Sequence, residues 1–159
     1  MTTATADLCD KYIDRLAVLE PMLTNYGGKP AFEGVIVTVK VHEENKLVRE
    51  ALSLDGAGKV LVVDGGGSLR SALVGDQVAQ LAIDQGWAGI VVNGCIRDSA
   101  AIGKMAIGLF AINTNPTRPA KHGFGLGNVP VSFGGVKFTP GEYLYADEDG
   151  IVVAMGPLG

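Results

Sequence analysis

The fold of this chain is decided by residues 60–98, which read VLVVDGGGSLRSALVGDQVAQLAIDQGWAGIVVNGCIRD. Two short apolar runs, Val60–Val63 and Gly89–Val92, predict buried strands. Between them apolar residues recur at helical spacing, which predicts a helix over about residues 75–85. The order strand, helix, strand is typical of an α/β protein.

The flanking segments continue this alternation on the N-terminal side and replace it with short β-runs on the C-terminal side. Apolar spacing predicts helices over Asp7–Leu19 and Glu43–Leu54, and β-branched residues predict a strand over Ala31–Val41. After Asp98 we expect a short helix. The remaining predicted strands are Met105–Ile112, Val129–Phe133, Val136–Phe138, Glu142–Ala146 and Ile151–Ala154. We therefore predict an α/β fold with packed mixed sheets, because a parallel doubly wound sheet would not have this strand-rich tail.

Length and charge exclude several classes of protein. A chain of 159 residues fits one domain over residues 1–159. The net charge of −4 offers no general attraction to nucleic acid or to an anionic membrane. No apolar run reaches the ~18 residues that span a bilayer, and the N-terminus lacks the basic and apolar stretches of a secretory signal. We expect a cytoplasmic protein that binds neither nucleic acid nor membrane.

The cysteines and histidines do not form a metal or redox motif. Cys9 and Cys95 match neither a zinc spacing nor CxxC, so we predict two buried thiols. Cys95 lies two residues before Arg97, where it could line a site without taking part in chemistry. His42 and His122 are far apart in the sequence and show no metal spacing.

The candidate functional motif is Asp76, then twenty residues, then the adjacent pair Arg97-Asp98. An arginine can bind a carboxylate through two parallel hydrogen bonds, and an aspartate can hold a hard divalent cation. The pair follows a buried strand, where sites of α/β proteins tend to lie. The alternative is that Arg97 and Asp98 form only a helix cap and a surface ion pair.

Two glycine-bearing turns are further candidates. The first amides of the helix, at Gly75, Asp76, Gln77 and Val78, could accept a substrate carboxylate, or Asp76 could merely cap its own helix. The run over residues 64–68, DGGGS, resembles a phosphate cradle but lacks the Lys-Ser/Thr of a P-loop and the dinucleotide fingerprint. A tight turn beside the site is the alternative interpretation.

Three segments carry a family resemblance: VLVVDGGGSLRSALVGD at 60–76, GWAGIVVNGCIRD at 86–98, and FGGVKFTPGEYLYADEDGIVV at 133–153. Together they resemble the regulator of ribonuclease activity A (RraA) family, which overlaps with the class II 4-hydroxy-4-methyl-2-oxoglutarate aldolases. The resemblance covers nearly the whole chain. It implies a compact swivelling β/α/β domain that assembles as a homotrimer, with sites at the subunit interfaces.

The resemblance also implies roles for the motif residues. In aldolase-competent members this spacing marks the pyruvate and metal site. Carried over, the amides of residues 75–78 would bind the pyruvate carboxylate, Arg97 would contact the substrate oxygens, and Asp98 would anchor Mg²⁺ or Mn²⁺ within a largely hydrated shell. Members that only inhibit ribonuclease E can lack the aspartate after the arginine, so Asp98 favours chemistry. Longer aldolases add an acidic residue from a C-terminal extension, which we do not expect in a sequence that stops at Gly159.

The implied reaction is cleavage of a 4-hydroxy-4-methyl-2-oxoglutarate-type 2-oxo acid to pyruvate, together with decarboxylation of oxaloacetate. Arg97 and Asp76 are the predicted catalytic residues, with a water held near Asp76 as the base for the C4 hydroxyl. The rival hypothesis is an inhibitor of ribonuclease E that acts by protein–protein binding. A methyltransferase is disfavoured because the glycine run is not a full nucleotide-binding fingerprint.

Overall fold

The structure is a computed structural model that describes residues 3–120 and 124–158. The α-helices in these ranges are α1 (Thr5–Tyr12), α2 (Lys46–Leu52), α3 (Asp76–Asp84) and α4 (Ser99–Ile102), and a 3-10 turn covers Ile13–Arg15. The strands are β1 (Ala17–Val18), β2 (Thr24–Asn25), β3 (Phe32–Val41), β4 (Lys59–Asp64), β5 (Ala72–Val74), β6 (Gly89–Ile96), β7 (Gly108–Thr114), β8 (Gly125–Gly127), β9 (Val131–Phe133), β10 (Val136–Phe138), β11 (Tyr143–Asp147) and β12 (Gly150–Ala154).

Ten strands form one mixed sheet in the order β1-β12-β11-β3-β4-β6-β7-β2, with β5 paired to β6 and β8 paired to β3. The central strands β3, β4, β6 and β7 are parallel, and β5 also joins β6 in parallel. The outer pairings are antiparallel. Strands β9 and β10 form a separate antiparallel pair. The predicted α/β class with packed mixed sheets is confirmed.

The central strands bury both of their faces. In β4, Leu61 and Val63 pack with the helices α2, α3 and α4. Val60 and Val62 of the same strand pack against the β9–β10 pair on the opposite side. Since successive side chains of a strand point to opposite faces, a strand covered on both sides must be apolar throughout. This explains why the fold-deciding stretch begins with an unbroken apolar run.

The N-terminal helix is shorter than predicted. Its apolar spacing predicted a helix to Leu19, but α1 ends at Tyr12 and the chain continues as β1. The pairing of Ala17 with Val153 and of Val18 with Val152 extends the main sheet. The sheet edge thus supplies the hydrogen bonds that a longer helix would have made internally, and the prediction over residues 13–19 was wrong.

Strand β6 is longer than predicted. It continues beyond the predicted end at Val92 to Ile96, because Asn93 pairs with β4, and Cys95 and Ile96 pair with β5 and β7. Four strands, β1, β2, β5 and β8, were not predicted. Each has two or three residues, which is too short to show an alternating pattern.

The thiols were predicted correctly in part. Cys95 is buried, and this burial raises the pKa of its thiol. Cys9 is only half-buried, so the prediction of a buried thiol was wrong there. His122 lies outside the described residues. No helix in the described ranges is long and apolar enough to cross a membrane.

Candidate active site

The pairing of β5 with β6 brings the two halves of the motif together. Val74 at the end of β5 is in register with Ile96 at the end of β6. The next residues, Gly75 and Arg97, therefore leave the sheet side by side, and the Arg97 amide donates to the Val74 carbonyl over 3.0 Å. The twenty residues between Asp76 and Arg97 are helix α3, its return turn and β6. The spacing of the motif is thus the length of one parallel crossover.

Asp98 caps helix α3. Its Oδ2 accepts a hydrogen bond of 3.0 Å from the backbone N–H of Asp76, the first residue of that helix. Asp98 has φ +59°, a left-handed conformation that aspartate and asparagine tolerate better than most side chains. The helix cap that the alternative interpretation included therefore exists, and the helix that Asp98 caps is α3.

Two of the alternative interpretations are wrong. Asp76 does not cap its own helix, because the N-cap position of α3 is Gly75 and no side-chain hydrogen bond closes it. Arg97 and Asp98 do not form an ion pair among the described residues. Arg97 is half-buried and Asp98 is exposed.

Gly75 leaves space for the side chain of Asp98. A Cβ at this position would lie 2.8 Å from Asp98 Oδ2 and 3.5 Å from Arg97 Nε. Its φ of −117° is open to any residue, so conformational freedom is not the reason. The absence of a side chain lets the motif residues converge on the start of α3.

This arrangement changes the predicted set of carboxylate-binding amides. The Asp76 amide is already engaged by Asp98. The first hydrogen bond inside the helix runs from the Ala79 amide to the Gly75 carbonyl. The amides of Gln77 and Val78 therefore precede it and have no intrahelical partner. They also lie at the positive end of the helix dipole, which favours an anion.

A polar cavity of about 570 Å³ opens at this point. All the residues predicted from the motif line it, together with residues that the sequence analysis did not select. The lining residues are Asn45, Arg49, Ala72, Gly75, Asp76, Gln77, Val78, Arg97, Asp98, Arg118 and Pro119. Arg49 comes from α2, and Arg118 follows β7. Only the tertiary structure brings them to the motif, since no local pattern marks them.

The glycine run after β4 is a tight turn. The Gly65 and Gly67 amides donate to the Asn93 carbonyl over 3.0 and 3.2 Å. The Gly66 amide donates to Asp64 Oδ1 over 2.9 Å, and this oxygen also accepts from Asn93 Nδ2 over 3.0 Å. These amides are therefore not available to a phosphate, and the phosphate-cradle interpretation was wrong.

A charged cluster beside this turn was also missed by the sequence analysis. Arg70 donates from Nε and Nη2 to Glu43, and the Nη2–Oε2 distance is 2.6 Å. His42 Nε2 lies 3.1 Å from the same Glu43 oxygen. The hydrogen bond from Arg70 lowers the pKa of Glu43, and the pKa of Arg70 is raised in return. Arg70 is thus paired with a carboxylate, in contrast to the three arginines of the cavity.

The acidic residues of the cavity fit a hydrated divalent cation. Within the described ranges, no group of three or more His, Cys, Asp or Glu side chains could enclose a metal. Mg²⁺ does not need such a cage, because it keeps several waters and is held by one or two carboxylates together with substrate oxygens. Asp98 and Asp76 both line the cavity and each supplies a carboxylate.

Similar sequences are known over the full length of the chain. It is 55% identical over 158 residues to a protein of Aromatoleum aromaticum, with 99% of each chain covered. It is 57% identical over 158 residues to a protein of Dechloromonas aromatica, with 97% of each chain covered. Both relatives are named "Putative 4-hydroxy-4-methyl-2-oxoglutarate aldolase".

Solved structures match the fold closely. A protein of Geobacillus kaustophilus, described as S-adenosylmethionine: 2-dimethylmenaquinone methyltransferase, is 54% identical with a TM-score of 0.96, over 98% of this chain and 97% of that chain. The "RNA-processing inhibitor RraA from Thermus thermophilis" is 43% identical with a TM-score of 0.96, over 100% and 96% of the two chains. The RraA-like family, Aldolase/RraA, matches residues 5–153. The family predicted from the three sequence segments is confirmed, and the chain belongs to the Aldolase/RraA family.

Proposed function

We propose that this protein is a carbon–carbon lyase that cleaves 4-hydroxy-4-methyl-2-oxoglutarate-type 2-oxo acids to pyruvate, requires Mg²⁺ or Mn²⁺, and also decarboxylates oxaloacetate. The observation that carries the proposal is the convergence of Arg97, Asp98 and the start of α3 in one polar cavity. The names of the aldolase relatives from Aromatoleum and Dechloromonas support the same reaction class.

The 2-oxo acid end of the substrate binds at the start of α3. The amides of Gln77 and Val78 donate hydrogen bonds to its carboxylate. The amides of Gly75 and Asp76 lie next to them in the sequence. Asp98 and the substrate compete for the Asp76 amide, so this amide contributes only when Asp98 releases it. Arg97 binds the substrate oxygens through its planar guanidinium.

Cleavage of the C3–C4 bond leaves negative charge on the 2-oxo oxygen of the pyruvate enolate. Arg97 makes no ion pair among the described residues, so its charge is available to stabilise this oxygen as the charge develops. Asp98 would hold the divalent cation, which when bound supplies Lewis-acid stabilisation of the same oxygen.

Cleavage of the 4-hydroxy acid also requires loss of the C4 hydroxyl proton. Asp76 is exposed on the cavity wall and its side chain caps no helix, which leaves it free to hold a water that accepts this proton. Decarboxylation of oxaloacetate needs no such base, so that activity should tolerate changes at Asp76.

The direct test is pyruvate release from oxaloacetate and from 4-hydroxy-4-methyl-2-oxoglutarate, each with Mg²⁺, with Mn²⁺ and with a chelator. We expect release from both compounds with either metal and a return towards the uncatalysed rate with the chelator. Absence of pyruvate from both compounds at saturating metal would contradict the proposal. A rate that the chelator does not change would contradict its metal requirement.

The competing proposal is inhibition of ribonuclease E by protein–protein binding. The observation that favours it is the TM-score of 0.96 to the RNA-processing inhibitor from Thermus. An Arg97→Ala protein separates the two functions. If inhibition uses an outer surface, this variant should inhibit ribonuclease E as the parent does while losing lyase activity.

A further inference from the structure

The cavity at the start of α3 holds more positive charge than the 2-oxo acid end of a substrate requires. Arg49, Arg97 and Arg118 all line it, against the two carboxylates of Asp76 and Asp98. Among the described residues, none of the three arginines forms an ion pair. Arg49 and Arg118 are both exposed, so solvent screens much of their mutual repulsion and the structure can keep both charges without a carboxylate between them.

The nearby Arg70, in contrast, is neutralised by a carboxylate. It reaches both oxygens of Glu43. Arg49 and Arg118 have no such carboxylate among the described residues, although Asp76 and Asp98 line the same cavity. The Asp98 carboxylate is engaged instead with the α3 amide. Positive charges that share a cavity and form no ion pair among the described residues favour an anionic ligand.

The two extra arginines come from different elements than the motif. Arg49 projects from α2, Arg118 follows β7, and the motif residues follow β5 and β6. A ligand that binds Arg97 and the α3 amides with one end can therefore meet Arg49 and Arg118 with its other end. The cavity volume of about 570 Å³ is ample for a five-carbon acid.

We propose that Arg49 and Arg118 bind the distal carboxylate of a dicarboxylic 2-oxo acid and thereby select such acids over monocarboxylic ones. This inference rests on the proposed function, which supplies the orientation of the 2-oxo end. In a 4-hydroxy-2-oxo dicarboxylic acid, the distal carboxylate stays on the second product when the C3–C4 bond breaks. Tight binding of that group therefore does not oppose cleavage.

The selectivity follows from the loss of charged hydrogen bonds. A methyl group in place of the distal carboxylate leaves two guanidinium groups in the cavity without a partner. Hydrogen bonds to charged groups typically change affinity by about 10- to 100-fold. Arginine is suited to this role because its planar fork fits a carboxylate in two parallel bonds.

Calorimetric binding of two unreactive ligands tests the inference. 2-Oxoglutarate and 2-oxopentanoate share the 2-oxo acid end, differ in carboxylate against methyl at the other end, and lack the C4 hydroxyl that cleavage needs. With Mg²⁺ present, the parent protein should bind 2-oxoglutarate at least about tenfold more tightly. Arg49→Met and Arg118→Met should each reduce this preference, and the double variant should abolish it.

The matched control is Arg15→Met, which removes the same charge from the 3-10 turn outside the cavity lining, where Arg15 packs over Tyr12. It should leave the preference unchanged. The affinity of the double variant for 2-oxopentanoate should stay close to that of the parent, which also shows that the variant is folded.

The inference is overturned if the parent protein binds the two ligands equally, if it does not bind 2-oxoglutarate, or if the double variant keeps the preference. Failure of the proposed lyase function gives a different result. In that case the parent would select 2-oxoglutarate but release no pyruvate from 4-hydroxy-4-methyl-2-oxoglutarate.

Discussion

At the scale of single residues, the site depends on side chains that the fold leaves without their usual partners. Arg97 follows directly on β6 and is half-buried, yet it does not pair with its neighbour Asp98. Asp98 instead reaches back to the start of α3. Each residue is thus held in place by the backbone while its charge remains available to a ligand.

Arg97→Lys should lower turnover about 10²- to 10³-fold with oxaloacetate, although the positive charge is kept. Lysine loses the planar fork that binds two oxygens, and the interaction strengthens as charge builds on the oxyanion. Steady-state kinetics should show the loss in kcat as well as in KM. Decarboxylation at the parent rate by both Arg97→Lys and Arg97→Ala would refute the assignment of the motif.

Asp98→Asn should reduce metal-dependent activity by more than about 100-fold, since even the outer partners of metal ligands typically contribute 10- to 100-fold. Asparagine keeps an acceptor oxygen for the Asp76 amide and tolerates the left-handed φ of +59°. The free energy of unfolding should therefore change by less than about 0.5 kcal/mol. Full activity of this variant with Mg²⁺ would show that Asp98 is not the metal anchor.

Asp98→Ala is a less specific change than Asp98→Asn. It removes the hydrogen bond to α3 and places alanine at a positive φ. The cap and the backbone strain together should lower the free energy of unfolding by about 2 kcal/mol. Chemical denaturation of the two variants in parallel distinguishes this structural cost from the loss of the carboxylate charge.

At the scale of elements, the turn from β5 into α3 is the most constrained part of the site. Gly75→Ala should displace Asp98, because the new methyl group would lie 2.8 Å from Asp98 Oδ2. That oxygen ends a mobile side chain, so the fold should survive while activity falls by about 100-fold, as expected when a reacting group is misplaced. Gly156→Ala is the control, since open space surrounds that position. Equal activities of the two variants would contradict this role for Gly75.

At the scale of the whole molecule, Asp147 joins the N-terminal helix to the sheet. It accepts hydrogen bonds of 2.7 Å from both the amide and the hydroxyl of Thr5, and one of 3.0 Å from the Asp149 amide. Burial raises the pKa of Asp147, but these bonds and one from the Gly150 amide lower it more, so it lies below the usual 3.8. The ionised carboxylate of Asp147 therefore stabilises the folded protein relative to the unfolded chain.

Asp147→Asn should make the protein less sensitive to acid. The contribution of a carboxylate with a lowered pKa is complete above its unfolded pKa and is lost as pH falls through its folded pKa. The parent should lose stability between about pH 5 and pH 2, and the variant should lose less. At neutral pH the variant should be less stable by about 2 kcal/mol. Denaturation curves at several pH values test this, and parallel curves for both proteins would contradict it.

We also propose that the chain assembles into an oligomer. Exposed apolar side chains near β8, Phe124 at 79% and Leu126 at 59%, leave a surface that a second subunit could cover. We expect a homotrimer, with a sedimentation mass about three times the 16.5 kDa of one chain. A mass of one subunit at micromolar concentration would contradict this. Phe124→Ser should weaken the assembly if this surface forms the interface.

Local patterns in the sequence determined much of the fold and the centre of the site. The apolar run of β4 and the helical spacing of α3 specify their elements through burial, which depends on short-range periodicity. The motif of Asp76 and Arg97-Asp98 was visible because one strand–helix–strand crossover fixes its spacing. The same reasoning failed over residues 13–19, where pairing with β12 replaced the predicted helix.

Only the tertiary structure decided which residues line the site and which side chain caps α3. Arg49 and Arg118 reach the cavity from α2 and from the segment after β7, and the cap of α3 comes from Asp98, 22 positions along the chain. These contacts depend on the register of parallel strands and on the packing of helices over them, which no local spacing encodes. The sequence by itself thus determined which residues could do chemistry, whereas the folded chain decided which charges share one cavity.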